Sequence, residues 1–361
     1  MTNFFIILRN SKLRDSGRRV AILLLLGTTV LLSGCSSLVT IKKPVRVHPL
    51  LTPLQTATTA ELVAEVNRLA SVRSIRGKVD LQFQDTTFAE AGLAEKYRTA
   101  DGTLTLQRPG QILLVIQTPF FPTEVAEMTS DGTQFRVAIL QGDESYRRFV
   151  MGTNEAPYSQ FGKSKTQSEQ GGKEEIAAQT QHTVNVLSNL RPQHLTEALL
   201  IKPIEISGPS HYIYAQSEIY VDELDTRPLA GKDSRAVRGY YILDELATGS
   251  DGMARLIHRF WFDRVGHIRL ARMQNYDDGG VLITDVEYGE LKPFGEQSMM
   301  LPSRIELTRP KNSYKIGITY QAPEAVKLDR EYPVEAFVLQ NKWVLPEVNL
   351  DELGTKPDNP Q

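Results

Sequence analysis

"ARLIHRFWFDRVGHIRLARMQNYDDGGVLITDVEYGEL", residues 254–291, decides how the second half of the chain is read. Three runs rich in aromatic and β-branched residues are separated by two short breaks, at 264–266 and 277–280. Such runs, bounded by turn residues, predict antiparallel strands joined by tight connections. Asp277-Asp278-Gly279-Gly280 predicts a type I′ hairpin turn, and its spacing is not that of a calcium loop.

The same pattern extends in both directions. "LPSRIELTRPKNSYKIGITYQAP", residues 301–323, predicts two further strands around 310–313. "HYIYAQSEIYV" (211–221) and "RGYYILDEL" (238–246) precede the opening stretch. In the first half, "KVDLQFQ" (78–84) alternates Val79, Leu81 and Phe83 with polar neighbours, the mark of a half-buried antiparallel strand. "GTLTLQRPG" (102–110) repeats it with Leu104 and Leu106, and "QILLVIQTP" (111–119) is a nearly continuous apolar strand. "AEMTSDGTQFRVAI" (126–139) reads as a hairpin about Asp131-Gly132, with Phe135, Val137 and Ile139 on one face. Regular spacing and tight turns indicate a meander, hence a sandwich or a barrel.

Two segments change period. In "TAELVAEVNRLASV" (59–72) Leu62, Val63, Val66, Leu69 and Ala70 form one apolar helical face, with Thr58 or Thr59 available to cap it and Glu61 in the first turn. "TVNVLSNLRPQHLTEALLI" (183–201) predicts one helix or two short ones, with Pro192 in a first turn and Leu195, Ala198 and Leu199 as the buried face. Between the β-rich halves, residues 152–181 are rich in Gly, Ser, Gln and Lys and predict a long loop inserted in the domain. The domain itself is expected over 58–340, and 341–361, Pro-rich and acidic, are expected as a polar tail.

The start of the chain has a different logic. Five basic residues and one acid in the first 19 precede the uncharged run "VAILLLLGTTVLL" (20–32). This is the layout of a secretory signal, and the run falls short of the roughly 20 apolar residues that span a bilayer. The lone cysteine follows at once in Leu32-Ser33-Gly34-Cys35, which resembles the bacterial lipobox. That resemblance implies cleavage after residue 34 and acylation of Cys35, so that no disulfide forms in the mature chain. Several acyl chains give a stable membrane anchor where one is marginal. Ser36, rather than Asp, favours outer-membrane over inner-membrane sorting by the same resemblance. Residues 35–57 then serve as anchor and tether, with Pro44, Pro49 and Pro53 and no apolar period.

Composition excludes several classes. The net charge is −2 overall, and the first 34 residues contribute +4, so the remainder is at −6. A nucleic-acid binder would show a basic stripe instead. No cysteine pair or His-x-x-x-His spacing offers a metal site. No G-x-S-x-G elbow or Gly-rich phosphate loop is present. No catalytic residue, metal or cofactor is therefore assigned, and the chain is read as a non-enzyme. His258 and His267 flank one turn and are read as ordinary strand residues. Arg255, Arg259, Arg269 and Arg272 come from adjacent strands. They either cluster at a rim to hold a lipid phosphate bidentately, or pair on a solvated face with Asp263, Asp277 and Glu287.

An acyl-anchored cysteine, a tether, one amphipathic helix, a strand opening "SIRGKVDLQF" and the runs "FWFDRVGHIRLARMQNYDDGG" and "LPSRIELTRP" together resemble the LolA/LolB superfamily of envelope lipoproteins and carriers. The resemblance covers about residues 59–322. It implies a mainly β fold: a curved, unclosed antiparallel half-barrel with helices plugging its concave face. It further implies an apolar cavity for acyl chains of a lipid or lipoprotein, lined by Val79, Leu81, Phe83, Leu104 and Leu106. Phe120-Phe121, between two prolines, would be the exposed apolar loop that enters a membrane or gates the cavity. The expected function is lipid or lipoprotein transfer at the periplasmic side of the outer membrane, with other envelope proteins as further partners. The alternative is a structural or interaction lipoprotein whose core is filled by its own side chains.

Overall fold

The computed structural model describes residues 47–86, 98–118, 123–142, 144, 147–154, 190–206, 212–227, 229–249 and 251–353. Cys35, Phe120, Phe121 and nearly all of the predicted 152–181 loop lie outside the described residues.

Alternation in the first half yields six strands in sequence: β1 (Ser74–Asp85), β2 (Arg98–Gln107), β3 (Gln111–Gln117), β4 (Glu124–Ser130), β5 (Gln134–Ile139) and β6 (Arg148–Thr153). The second half adds β7 (Tyr212–Leu224), β8 (Arg235–Thr248), β9 (Ala254–Asp263), β10 (Arg269–Tyr276) and β11 (Leu282–Tyr288). A small ribbon follows, β12 (Leu291–Phe294) with β13 (Met299–Pro302), then β14 (Arg304–Arg309), β15 (Tyr314–Tyr320), β16 (Lys327–Leu328) and β17 (Glu347–Asn349).

All but β12 and β13 join one sheet, in the order β17-β6-β5-β4-β3-β2-β1-β15-β14-β11-β10-β9-β8-β7, with β16 beside the start of β1. Two meanders, β1–β6 and β7–β11, are thus spliced through the β14–β15 hairpin. The path ends at β7 on one side and β17 on the other, so the sheet is not closed into a barrel. Every pairing is antiparallel except β17 on β6. A single open sheet replaces the sandwich that strand spacing alone left open.

Register puts apolar residues opposite one another on one face. Val79 faces Tyr320, Leu81 faces Ile318 and Phe83 faces Ile316 across β1–β15. Leu104 faces Leu114 and Leu106 faces Ile112 across β2–β3. Helix α1 (Thr59–Ala70) and helix α2 (Pro192–Leu199) deliver Leu62, Val66, Leu69, Leu195 and Ala198 into the same buried cluster. Both helices therefore plug the inner face. Gly77 permits the closest approach on β1, since a Cβ there would lie 2.7 Å from Val326 Cγ2.

Three expectations are corrected. The segment read as a tether is laid onto the sheet from Pro49 to Gln55: Leu51 N donates to Val237 O at 2.9 Å, Gln55 N donates to Arg264 O at 2.8 Å, and Leu51 is buried. The segment read as a tail contributes β17 and the short helix α3 (Leu350–Leu353). Asp351 accepts from Thr153 N at 2.9 Å and Thr153 Oγ1 at 2.7 Å, so this end is fastened to β6. The Asp277–Gly280 turn is not type I′. Only Gly280 of the four has positive φ, at 76°, and Asp277 Oδ1 accepts from Gly279 N and Val281 N. A left-handed glycine at the end of the loop, next to the register shift at Asn275/Tyr276, is the bulge-type hairpin instead.

Candidate functional site

Helix α1 begins with a reciprocal cap: Thr58 Oγ1 accepts from Glu61 N at 3.4 Å, and Thr58 N donates to Glu61 Oε2 at 2.7 Å. That cap, with one apolar face, fixes where the helix starts and which side turns to the sheet. Arg68 donates to Met300 O at 2.7 Å, tying the other end of α1 to the β12–β13 ribbon.

Helix α2 opens on Pro192 and ends against Tyr288, whose buried hydroxyl donates to Ala198 O at 3.0 Å. Burial pushes the Tyr288 phenol far above its ordinary range, so it stays protonated and remains a donor. Beyond α2 the chain crosses over the apolar interior as Leu200, Ile201 and Ile204, all buried in its core cluster. Two side chains hold this crossing. Asn67 of α1 binds both backbone groups of Ile204, donating at 3.0 Å and accepting at 2.7 Å. Arg108, just past β2, donates to Val72 O at 2.9 Å, Ile201 O at 2.7 Å and, more weakly, Leu200 O at 3.5 Å. Burial lowers the Arg108 pKa, and no ion pair compensates it among the described residues.

Under this crossing lies an apolar cavity of about 50 Å³. Leu69, Val72 and Ile75 line it from α1 and β1. Leu199, Leu200 and Ile201 line it from the crossing. Tyr288, Leu301, Ile305 and Tyr320 line it from the sheet and ribbon, and Arg108 stands at its edge. An apolar cavity of about 150 Å³ takes one benzene, so the space as it stands is too small for an acyl chain.

Val79, Leu81, Phe83, Leu104 and Leu106 all point inward and all are buried, at 0–2% exposure. None of them borders this cavity; they form the packed floor beyond it. Arg108, Asn67 and the Leu200–Ile204 crossing were missed by sequence reading. Their partners are backbone groups far away in the chain, which no local spacing reveals.

The four arginines lie on β9 and β10 or beside them, each against a carboxylate. Arg259 binds Asp244 through two bonds at 2.6 and 2.8 Å. Arg272 binds Asp285 through two. Arg269 shares Asp263 with Arg238, at 2.9 and 2.7 Å, and Arg255 pairs with Asp251 at 2.5 Å. Of the expected acids only Asp263 serves; Asp277 is paired with Lys311. His258 binds Glu245 at 2.6 Å.

Among the described residues no group of His, Cys, Asp and Glu could hold a metal ion, and no helix is long and apolar enough to cross a membrane. No protein-family model and no curated protein matches the chain. Among solved structures it is similar to a LolA superfamily protein from Nitrosomonas europaea, at 14% identity over 78% of this chain and 99% of that one, TM-score 0.37. It is similar to a DUF1329 family protein from Desulfovibrio piger, at 13% identity over 77% and 94%, TM-score 0.39. A third is a domain from Vibrio parahaemolyticus provisionally described as an outer membrane lipoprotein-sorting protein, at 10% identity over 77% and 95%, TM-score 0.37. Likeness this loose carries no argument about ligand or partner; the unclosed sheet with helices on its inner face rests on the strand order and packing described above.

Proposed function

We propose that this chain is a lipid-anchored envelope protein that takes the acyl chains of a lipid or lipoprotein between its sheet and its helices, without catalysis. One observation carries the reading: an apolar interior overlain by a short crossing, Leu200–Ile204, held by polar side chains binding only backbone. Such a closure can part without leaving a buried carboxylate behind. Releasing Leu200 and Ile201 to water costs about 1.5–3 kcal/mol each. Each methylene that an entering chain buries returns roughly 0.8 kcal/mol, so displacing both side chains is offset by about four to eight buried methylenes. Anchoring through Cys35, outer-membrane residence and a membrane-facing role for Phe120 and Phe121 complete the proposal.

A second reading is favoured by the cavity volume of about 50 Å³: a filled core, with the protein acting through its surface on other envelope components. Fluorescent fatty-acid binding separates the two. Saturable binding that is strengthened by Arg108→Ala supports the carrier, because loosening the crossing lowers the cost of entry. No binding by either protein supports the filled core.

A further inference from the structure

The open sheet has two edges, and they are not alike. At one end β17 is three residues long, and a very short edge strand gives a second chain little to pair with. At the other end β7 runs for 13 residues, Tyr212–Leu224, where a strand is usually about five or six. Among the described residues no strand pairs with the outer edge of β7, so its backbone donors and acceptors on that side are open to another strand.

β7 lacks the common devices that blunt such an edge. It contains no Pro, Lys or Arg. Its register with β8 is unbroken from Tyr212 to Leu224, so no bulge turns it away. Its three acids are each engaged within the fold: Glu218 by Arg264 at 2.7 Å, Asp222 by Arg235 at 2.9 Å and Glu223 by Arg238 at 2.6 Å. The start of α1 holds the strand at its centre, where Thr59 Oγ1 donates to Gln216 Oε1 at 2.7 Å and Gln216 Nε2 donates to Ala57 O at 3.0 Å. Four large side chains are nevertheless exposed along it: Tyr212, Ile213, Ile219 and Tyr220, at 43%, 51%, 39% and 51%.

Those four stand symmetrically about Gln216. An antiparallel copy of β7 centred there sets Tyr212 opposite Tyr220, Ile213 opposite Ile219, Tyr214 opposite Glu218 and Ala215 opposite Ser217. Residues of equal parity meet, so each pair shares a face. Aromatic and β-branched pairs are those that stabilise neighbouring strands, and no two acids meet. Other registers lose this match. Centring on Ser217 sets Tyr212 opposite Asp222 and Ile219 opposite Ala215. Centring on Glu218 sets that acid against itself and Ile213 opposite Glu223.

We infer that two copies of this chain join edge to edge through β7, antiparallel and centred on Gln216, as a twofold dimer with one continuous sheet. Both long edges are then consumed, and the combined sheet ends in the short β17 on each side. The pairing therefore closes at two copies instead of growing into a fibre. The contact lies on the sheet edge, and it holds whether the interior takes acyl chains or is filled by its own side chains.

The test uses the full chain in dodecyl maltoside. Sedimentation velocity over a concentration series reads the oligomeric state, and hydrogen exchange reads the β7 amides. The wild-type chain shows a monomer–dimer equilibrium, with β7 amides gaining protection as the dimer fills. Ile219→Lys changes an exposed side chain and weakens association at least tenfold, because both Ile213–Ile219 pairs are lost. Adding Ile213→Glu to Ile219→Lys restores association, since in this register alone the new carboxylate faces the other copy's new ammonium. Should Ile219→Lys fail to fold, Tyr220→Lys alone and with Tyr212→Glu carries the same test. A chain that is monomeric at every concentration overturns the inference. So does an Ile219→Lys dimer as tight as wild type, which would place the contact elsewhere or in the micelle. A double variant that associates no better than Ile219→Lys, or β7 amides indifferent to concentration, overturns it as well.

Discussion

At the scale of single residues, two buried groups give sharp expectations. Phe83 is 2% exposed in a packed floor that does not border the open cavity. Phe83→Ala therefore costs about 3–5 kcal/mol, read as a lower urea midpoint at an unchanged slope. Had the floor lined an open cavity, the cost would be smaller. His194 makes stability pH-dependent. Its folded pKa lies well below the unfolded value of 6.5, so the unfolded chain binds the proton first. Stability is full above that value and falls as pH drops below it, by up to about 1.4 kcal/mol per pH unit. Urea unfolding between pH 8 and pH 5 should show this slope, and His194→Gln should flatten it. Val79, Leu81, Phe83, Leu104 and Leu106 were legible as an inward face because alternation is a local signal. Arg108 was not. It sits before a Pro-Gly turn where a surface arginine is expected, and its acceptors at Val72 and Ile201 lie 36 and 93 residues away.

At the scale of elements, the strands with regular alternation and the first helix were readable, as were a cap at Thr58 or Thr59 and Pro192 in a first turn; of the helical segment expected over 183–201, α2 takes 192–199 and 183–189 lie outside the described residues. The pieces that were not readable lack a repeating apolar pattern. Residues 49–55 carry two prolines and no apolar period, which predicts a tether, yet they bond to β8 and to the connection between β9 and β10 through backbone groups. β17 is three residues long and held by β6 and by Asp351 rather than by apolar period. These attachments make a prediction. Asp351→Ala removes two bonds to Thr153 and leaves its backbone amide without that partner, at a cost of about 1–3 kcal/mol. Hydrogen exchange should then speed up in β6 and β17 first, with β1 to β3 unaffected. Uniform acceleration across the sheet would show that the C-terminal segment is not a separate clasp.

At the scale of the whole molecule, one open sheet is covered on its inner face by α1, α2 and the crossing that follows α2. Its outer face carries paired charges, Asp244–Arg259 and Arg272–Asp285 among them. These pairs are half-buried and doubly bonded, while the large apolar side chains are buried on the inner face, where any ligand capacity would lie. The decisive variable is whether the crossing at Leu200–Ile204 opens. Arg108 and Asn67 hold that crossing by its backbone. The measurement that tests this most directly is native mass spectrometry of the chain purified without added lipid, wild type beside Arg108→Ala. Both should carry a co-purified species of acyl-lipid mass, at higher occupancy in Arg108→Ala, and an added fatty acid should displace it. A single ligand-free mass for both proteins, unchanged by added fatty acid, would contradict the carrier account and leave the filled-core protein in its place.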